Sequence, residues 1–216
     1  MTANKYYLVC VLLILAALLA TVAVYPQLPE RVATHWGIDN RPNGYSPKWA
    51  LFLIGPGLMM LLLVLFRFLP WLSPKQWEVD SFRSTYLQVM LIVIALMGYL
   101  YGATLWAGMT GSANVGRAIV GGVCLLLALL GNLLGKVRRN FYIGVRTPWT
   151  LANERVWNAT HRFAAKTFVV GGLTGLALTL VGFQGWPVLA VLLAAPLIPA
   201  AYSLFFYKQL ERRGQL

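Results

Sequence analysis

Tyr6–Tyr25 reads YYLVCVLLILAALLATVAVY, twenty residues without a charge. That is the length an α-helix needs to cross roughly 30 Å of hydrocarbon. Inside a bilayer every backbone N–H and C=O must find an internal partner, so such a run is a helix. Five further runs follow: Trp49–Phe66, Tyr86–Trp106, Ile119–Gly135, Phe163–Phe183 and Trp186–Tyr207. The last two are separated only by Gln184 and Gly185, which calls for a tight helical hairpin. The period-2 alternation of a membrane β-barrel is absent. The expected fold is all-α: a polytopic membrane protein of six transmembrane helices, with a short interfacial helix in the fourth loop. The first run is longer than the apolar core of a signal peptide and reads as an uncleaved span.

Charge orients the bundle. Arg31, Arg41, Lys48 and Arg117 fall on one side and the remaining 14 of the 18 Lys and Arg on the other. By the positive-inside rule both termini are expected in the cytoplasm of a cell whose plasma membrane holds the chain. The net charge of +12 therefore reports topology, and direct nucleic-acid binding is not expected. The chain divides into an amino-terminal module, residues 1–70, with two spans and an extracytoplasmic loop, and a four-span region, 71–216, with a basic loop at 136–162.

All six acidic residues lie in loops or the tail, and no Asp, Glu or His sits mid-span. Ion-coupled transporters place such groups near the midplane, so a coupled pump is disfavoured. Asn132, the most polar side chain inside a span, reads as an interhelical hydrogen-bonding group or part of a polar path. Gly98/Gly102, Gly131/Gly135 and Gly171/Gly175 place small residues one turn apart, which marks close-packed faces. Cys10 and Cys124 both fall inside spans, so no disulfide framework or thiolate metal site is indicated.

Two loops can carry specific work. The outer one is rich in Pro and contains Asn43-Gly44, so it is ordered and non-helical. Its rings at Tyr25, Trp36, Tyr45 and Trp49 suit an interfacial aromatic belt, or a lid with His35 and Trp36 facing a ligand. In the inner loop Thr147 caps a helix and Pro148 occupies its first position. That helix is expected to run toward Arg162, with Glu154, Asn158 and His161 on one polar stripe and Trp157 offering an apolar face to the membrane surface. Its amino terminus, beside Arg146, reads as an anion site or as an Arg146–Glu154 pair. His35 and His161 lie on opposite sides, which excludes a shared metal site. No nucleophile elbow or phosphate loop is present, so catalysis is unsupported and no cofactor or metal is called for.

Asn140, Gly144, Arg146-Thr147-Pro148-Trp149-Thr150, Val156-Trp157 and Thr160-His161-Arg162 resemble the inner loop of the SdpI family of bacterial membrane proteins. Leu28-Pro29, Val32, His35-Trp36, Pro42, Tyr45 and Lys48 resemble the module of unknown function that often precedes it. That module usually has Gly where this chain has Asn40, and often Asp at Asn43. The resemblance implies immunity to a secreted antimicrobial peptide toxin, with a transcriptional repressor as a further partner in members that signal, and membrane lipids around the bundle. It makes His35, Trp36, Tyr45 and Lys48 the expected toxin contacts. Asn140, Arg146, Thr147, Pro148, Trp149, Thr150, Glu154, Trp157, His161 and Arg162 become the expected inner-loop functional residues. A membrane enzyme or lipid-handling protein acting on phosphate headgroups, or a passive transporter, is the alternative reading.

Overall fold

The computed structural model describes residues 2–39, 41–111 and 115–216, without the side chain of Gln76. The departure at Asn40 lies outside the described residues. Among the described residues six helices have the length and apolar composition to cross a membrane, spanning Ala3–Gln27, Lys48–Leu72, Val79–Thr110, Val115–Leu134, Glu154–Leu180 and Trp186–Arg212. They correspond one for one to the six apolar runs. Each helix overshoots its run at one end at least, because the hydrogen-bond ladder continues where the hydrocarbon stops.

α1 (Ala3–Val24) leads through a 3-10 turn, Tyr25–Gln27, into a small antiparallel hairpin of β1 (Arg31–Trp36) and β2 (Pro42–Pro47). The outer loop is therefore more regular than a set of turns. α2 (Leu58–Leu72) is entered through a π-helical turn at Leu53–Gly57, which contains Pro56. Proline cannot donate to the helical ladder, and one wide turn absorbs the missing bond. α3 (Arg83–Thr110) and α4 (Val115–Leu134) follow, then α5 (Pro148–Ala152), α6 (Glu154–Leu180) and α7 (Trp186–Arg212). The α6–α7 reversal uses Gly182 and Gly185 at φ 99° and 72°, a region that side-chain-bearing residues rarely enter.

α1, α2 and α3 share one core: Tyr6, Cys10 and Ile14 meet Met59 and Leu63 of α2 and Leu87, Met90 and Ile94 of α3. At the outer end Leu28, Val32 and Leu51 pack on Tyr101 and Leu105, which seats the hairpin on α3. Beneath it the Tyr101 hydroxyl and Thr21 Oγ1 are 2.6 Å apart in a buried polar pair between α3 and α1.

α4 and α6 make the tightest crossing. A Cβ on Gly172 would stand 2.5 Å from the Ala128 nitrogen and 2.6 Å from the Cys124 carbonyl oxygen, so glycine alone permits the contact. Gly131 faces Phe168 and Val169, Gly175 faces Cys124, and Gly171 faces Ala195 of α7. Small residues thus weld α4, α6 and α7 together by direct backbone approach. Gly102 meets nothing within 4 Å and is no part of such a contact. Asn132 is exposed on α4, so it supplies neither an interhelical bond nor a path through the bundle.

Candidate functional site

The inner loop is a folded latch between α4 and α6. Asn140 is fully buried and organises the turn after α4. Its Oδ1 accepts from the backbone N–H of Tyr142 (2.7 Å) and Ile143 (2.8 Å). Its Nδ2 donates to the carbonyls of Arg138 (2.7 Å) and Ile143 (3.1 Å). One side chain thereby pairs four backbone groups that burial would otherwise leave costly.

Two rings of α6 close the latch. The Trp157 indole N–H donates to the Val137 carbonyl at 2.8 Å, and its ring stacks on His161 with centroids 3.9 Å apart and planes 18° from parallel. His161 Nδ1 lies 2.8 Å from the Trp157 carbonyl, while the Val145 N–H donates to Nε2 at 3.0 Å. A carbonyl can only accept, so Nδ1 carries the proton and the imidazole is neutral. Gly144, at φ 118°, runs directly under this ring, and a Cβ there would strike Nε2.

Thr147 and Thr150 cap each other. The Thr147 N–H donates to Thr150 Oγ1 at 2.9 Å, and the Thr150 N–H to Thr147 Oγ1 at 3.2 Å. The Thr150 hydroxyl is 2.9 Å from the Val145 carbonyl. Ser203 on α7 lies with its Oγ 2.6 Å from the Ala200 carbonyl and 2.9 Å from Thr147 Oγ1. The loop is therefore tied to α7 as well as α6. Pro148 opens α5, and Trp149 beside it is half-buried.

Four expectations are corrected. The helix expected from Pro148 to Arg162 is two helices, because Asn153 takes an extended backbone and its Oδ1 accepts from the N–H groups of Arg155 and Val156, starting α6 afresh. Glu154, Asn158 and His161 do not form one solvated stripe. Glu154 is exposed and Asn158 half-buried, whereas His161 is 1% exposed under Gly144 and Val145. Trp157 is wholly buried rather than interfacial, since Val79, Phe82, Tyr86 and Val137 enclose it. The start of α5 offers little to an anion, because that helix has five residues, Pro148 has no N–H, and the capping box takes up the N–H groups of Thr147 and Thr150.

Arg146 is exposed, and its guanidinium donates to the Phe141 carbonyl; it is in none of the ion pairs among the described residues. Arg139, which the sequence reading passed over, donates to the Leu151 carbonyl at 3.3 Å and lies 4.8 Å above the Trp77 ring. Trp77 meets Phe141 edge-on at 5.1 Å, so the preceding inner loop joins the latch. Ser203 was also missed, although a lone hydroxyl in an apolar span is a signal for an interhelical bond.

On the outer side His35 Nδ1 donates to Asn43 Oδ1 across the hairpin at 2.5 Å. Gly44 opposite His35 makes room, since a Cβ there would come within 2.8 Å of the His35 Cβ. Tyr45 is exposed. Lys48 pairs with Glu30 at 2.9 Å and covers the Tyr25 ring at 5.1 Å, which closes the base of the hairpin. Trp36, Gly37 and Ile38 at its tip line a cavity of about 250 Å³ with Arg117, Phe183 and Val188. Arg117 and Thr179 also border a larger apolar groove of about 640 Å³ between α3, α4 and α6, walled by Leu96, Tyr99, Leu125 and Leu176. The structure thus brings Trp36 to the α4–α6–α7 group and leaves His35 and Tyr45 on the exposed hairpin.

The family described as the SdpI/YfhL protein family matches residues 136–206, and the "Domain of unknown function (DUF1648)" matches residues 12–60. Over 211 residues the chain is 27% identical to the Immunity protein SdpI of Bacillus subtilis (strain 168), covering 96% of this chain and 98% of that protein. No solved structure matches. The first region holds the latch from Lys136 to Ser203 and the second holds the hairpin, so the chain is similar to the SdpI/YfhL family across the latch and to the domain of unknown function across the hairpin.

Proposed function

We propose that this chain is a multi-pass membrane protein that protects its cell against a secreted antimicrobial peptide toxin. The observation that carries the reading is similarity to an immunity protein along nearly the whole of both chains. The proposed orientation puts the hairpin outside and both termini with the latch in the cytoplasm, following the basic excess on that side. A toxin arriving from outside then meets His35, Trp36 and Tyr45, together with the cavity under the hairpin tip. Lys48 serves the same site by holding the hairpin closed. The latch, with Asn140, Trp157 and His161 at its centre, keeps the inner ends of α4, α6 and α7 in one arrangement. A signalling role through a cytoplasmic repressor would require a second arrangement of that latch, favoured by the toxin's difference in affinity between the two.

The test is survival. The chain is expressed in a toxin-sensitive bacterium and challenged with a panel of membrane-active peptides, beside Trp36→Ala and His35→Ala. Protection by the native chain, reduced in the hairpin variants at equal membrane abundance, supports the reading. A native chain that reaches the membrane and protects against no peptide overturns it.

A further inference from the structure

The basic end holds a cleft that the latch does not use. Its volume is about 660 Å³, and its lining is mostly polar. Three chain segments meet there. Arg83 comes from the start of α3, Lys136 and Arg138 from the chain just after α4, and Asn158 and Arg162 from the first turns of α6. Among the described residues of the lining Asp80 is the only acid, and it lies 3.4 Å from Arg83 in an exposed pair. Four cations against one carboxylate leave a surplus positive field in a concave, hydrogen-bonding site, to which Ser81, Ser84 and Thr85 add hydroxyls.

We propose that this cleft binds the phosphate headgroup of an anionic phospholipid in the adjacent leaflet. The chemistry selects a phosphate: arginine forks match its oxygens in pairs, and a zwitterionic headgroup brings its own cation into a site already rich in them. The position selects a lipid. Arg83 also borders a neighbouring cavity of about 220 Å³, whose lining adds Tyr7, Pro70, Trp71 and Leu87. The site therefore runs from charged groups onto the apolar side chains of α1, α2 and α3, as a headgroup with acyl chains requires. Arg138 follows Val137, whose carbonyl receives the Trp157 indole, and Asn158 and Arg162 flank Trp157 and His161 on α6. A bound headgroup thus bridges both sides of the latch from outside, without touching its buried polar groups.

The experiment is native mass spectrometry of the full chain in non-ionic detergent, titrated with phosphatidylglycerol, with phosphatidylcholine, or with inorganic phosphate. The variants are Arg138→Gln/Arg162→Gln and a control, Arg212→Gln/Arg213→Gln, which removes the same charge from the exposed tail. Each cation near the surface is worth about fivefold in affinity for an anionic lipid. The expected result is retention of phosphatidylglycerol over phosphatidylcholine by the native chain and the tail variant, falling by about 25-fold in the cleft variant. Intact thermal unfolding of the cleft variant, measured in parallel, separates lost binding from lost fold; an unfolded variant is replaced by Lys136→Gln/Arg162→Gln. Equal loss in the tail variant would mean a diffuse field and overturn the site. Equal binding of the two lipids, or displacement of the lipid by millimolar inorganic phosphate, would overturn the lipid as its ligand.

Discussion

The indole N–H of Trp157 reaches the carbonyl of Val137, twenty residues earlier, at 2.8 Å in a fully buried contact. That bond joins the end of one transmembrane helix to the start of the next, and the inner-loop motif folds around it. Trp157→Phe should keep most of the ring packing yet strand the Val137 carbonyl, at a cost of about 1–3 kcal/mol. Trp157→Ala should cost about 3–5 kcal/mol by adding a cavity. Thermal unfolding in detergent measures both. Equal stability of Trp157→Phe and the native chain would show that the hydrogen bond contributes nothing.

Gly144 combines a left-handed backbone with a His161 nitrogen where its Cβ would go. Gly182 has a similar φ of 99° and nothing within 4 Å. Gly182→Ala should therefore show strain alone, about 1–3 kcal/mol. Gly144→Ala should lose about 1–3 kcal/mol more, because the imidazole must be displaced from a closed pocket. Matching losses in the two variants, read from unfolding midpoints, would contradict the close approach.

The Thr147–Ser203 bond ties the loop to α7. Thr147→Ala removes a helix cap and should cost about 1 kcal/mol. In a double-mutant cycle with Ser203→Ala the coupling should be about 0.6 kcal/mol, the usual size of a hydrogen bond between membrane helices. Strict additivity would place the two hydroxyls apart in solution.

The proposed sidedness rests on charge, and thiol labelling reads it directly. Cys10 and Cys124 are completely buried and need not be replaced. Arg41→Cys on the hairpin turn should react with an impermeant reagent in intact cells, and Gln215→Cys in the tail only after permeabilisation. The reverse pattern would invert the assignment.

All six spans were legible because hydrocarbon thickness sets a minimum apolar length, and composition alone satisfies it. Their ends were less so. α3 begins at Arg83 and α7 continues to Arg212, since helices persist into the polar interface once packing supports them. The order of the outer loop was read from its Pro and Asn-Gly residues, whereas its strands were hidden, being six residues each with proline at both ends of β2. The residues of the latch were visible as a motif, but their burial was not. Periodicity on α6 cannot reveal that Gly144, Val145 and Val137 fold back over Trp157 and His161. Asn153 was read as an ordinary helical position because a cap inside a helix-compatible stretch differs from its neighbours only in backbone geometry.

α6 is one unbroken helix with arms of unequal length on either side of its close crossing with α4. That crossing falls at Gly172, seven residues from Thr179 beside the outer cavity and fifteen from Trp157 in the latch. At 1.5 Å per residue those arms are about 10 Å and 22 Å long. Gly131 against Phe168 and Val169, Gly171 against Ala195 and Gly175 against Cys124 clamp the helix around that point, so it is held there rather than hinged. The cavity beneath the hairpin tip and the latch thus share one helix, clamped between them.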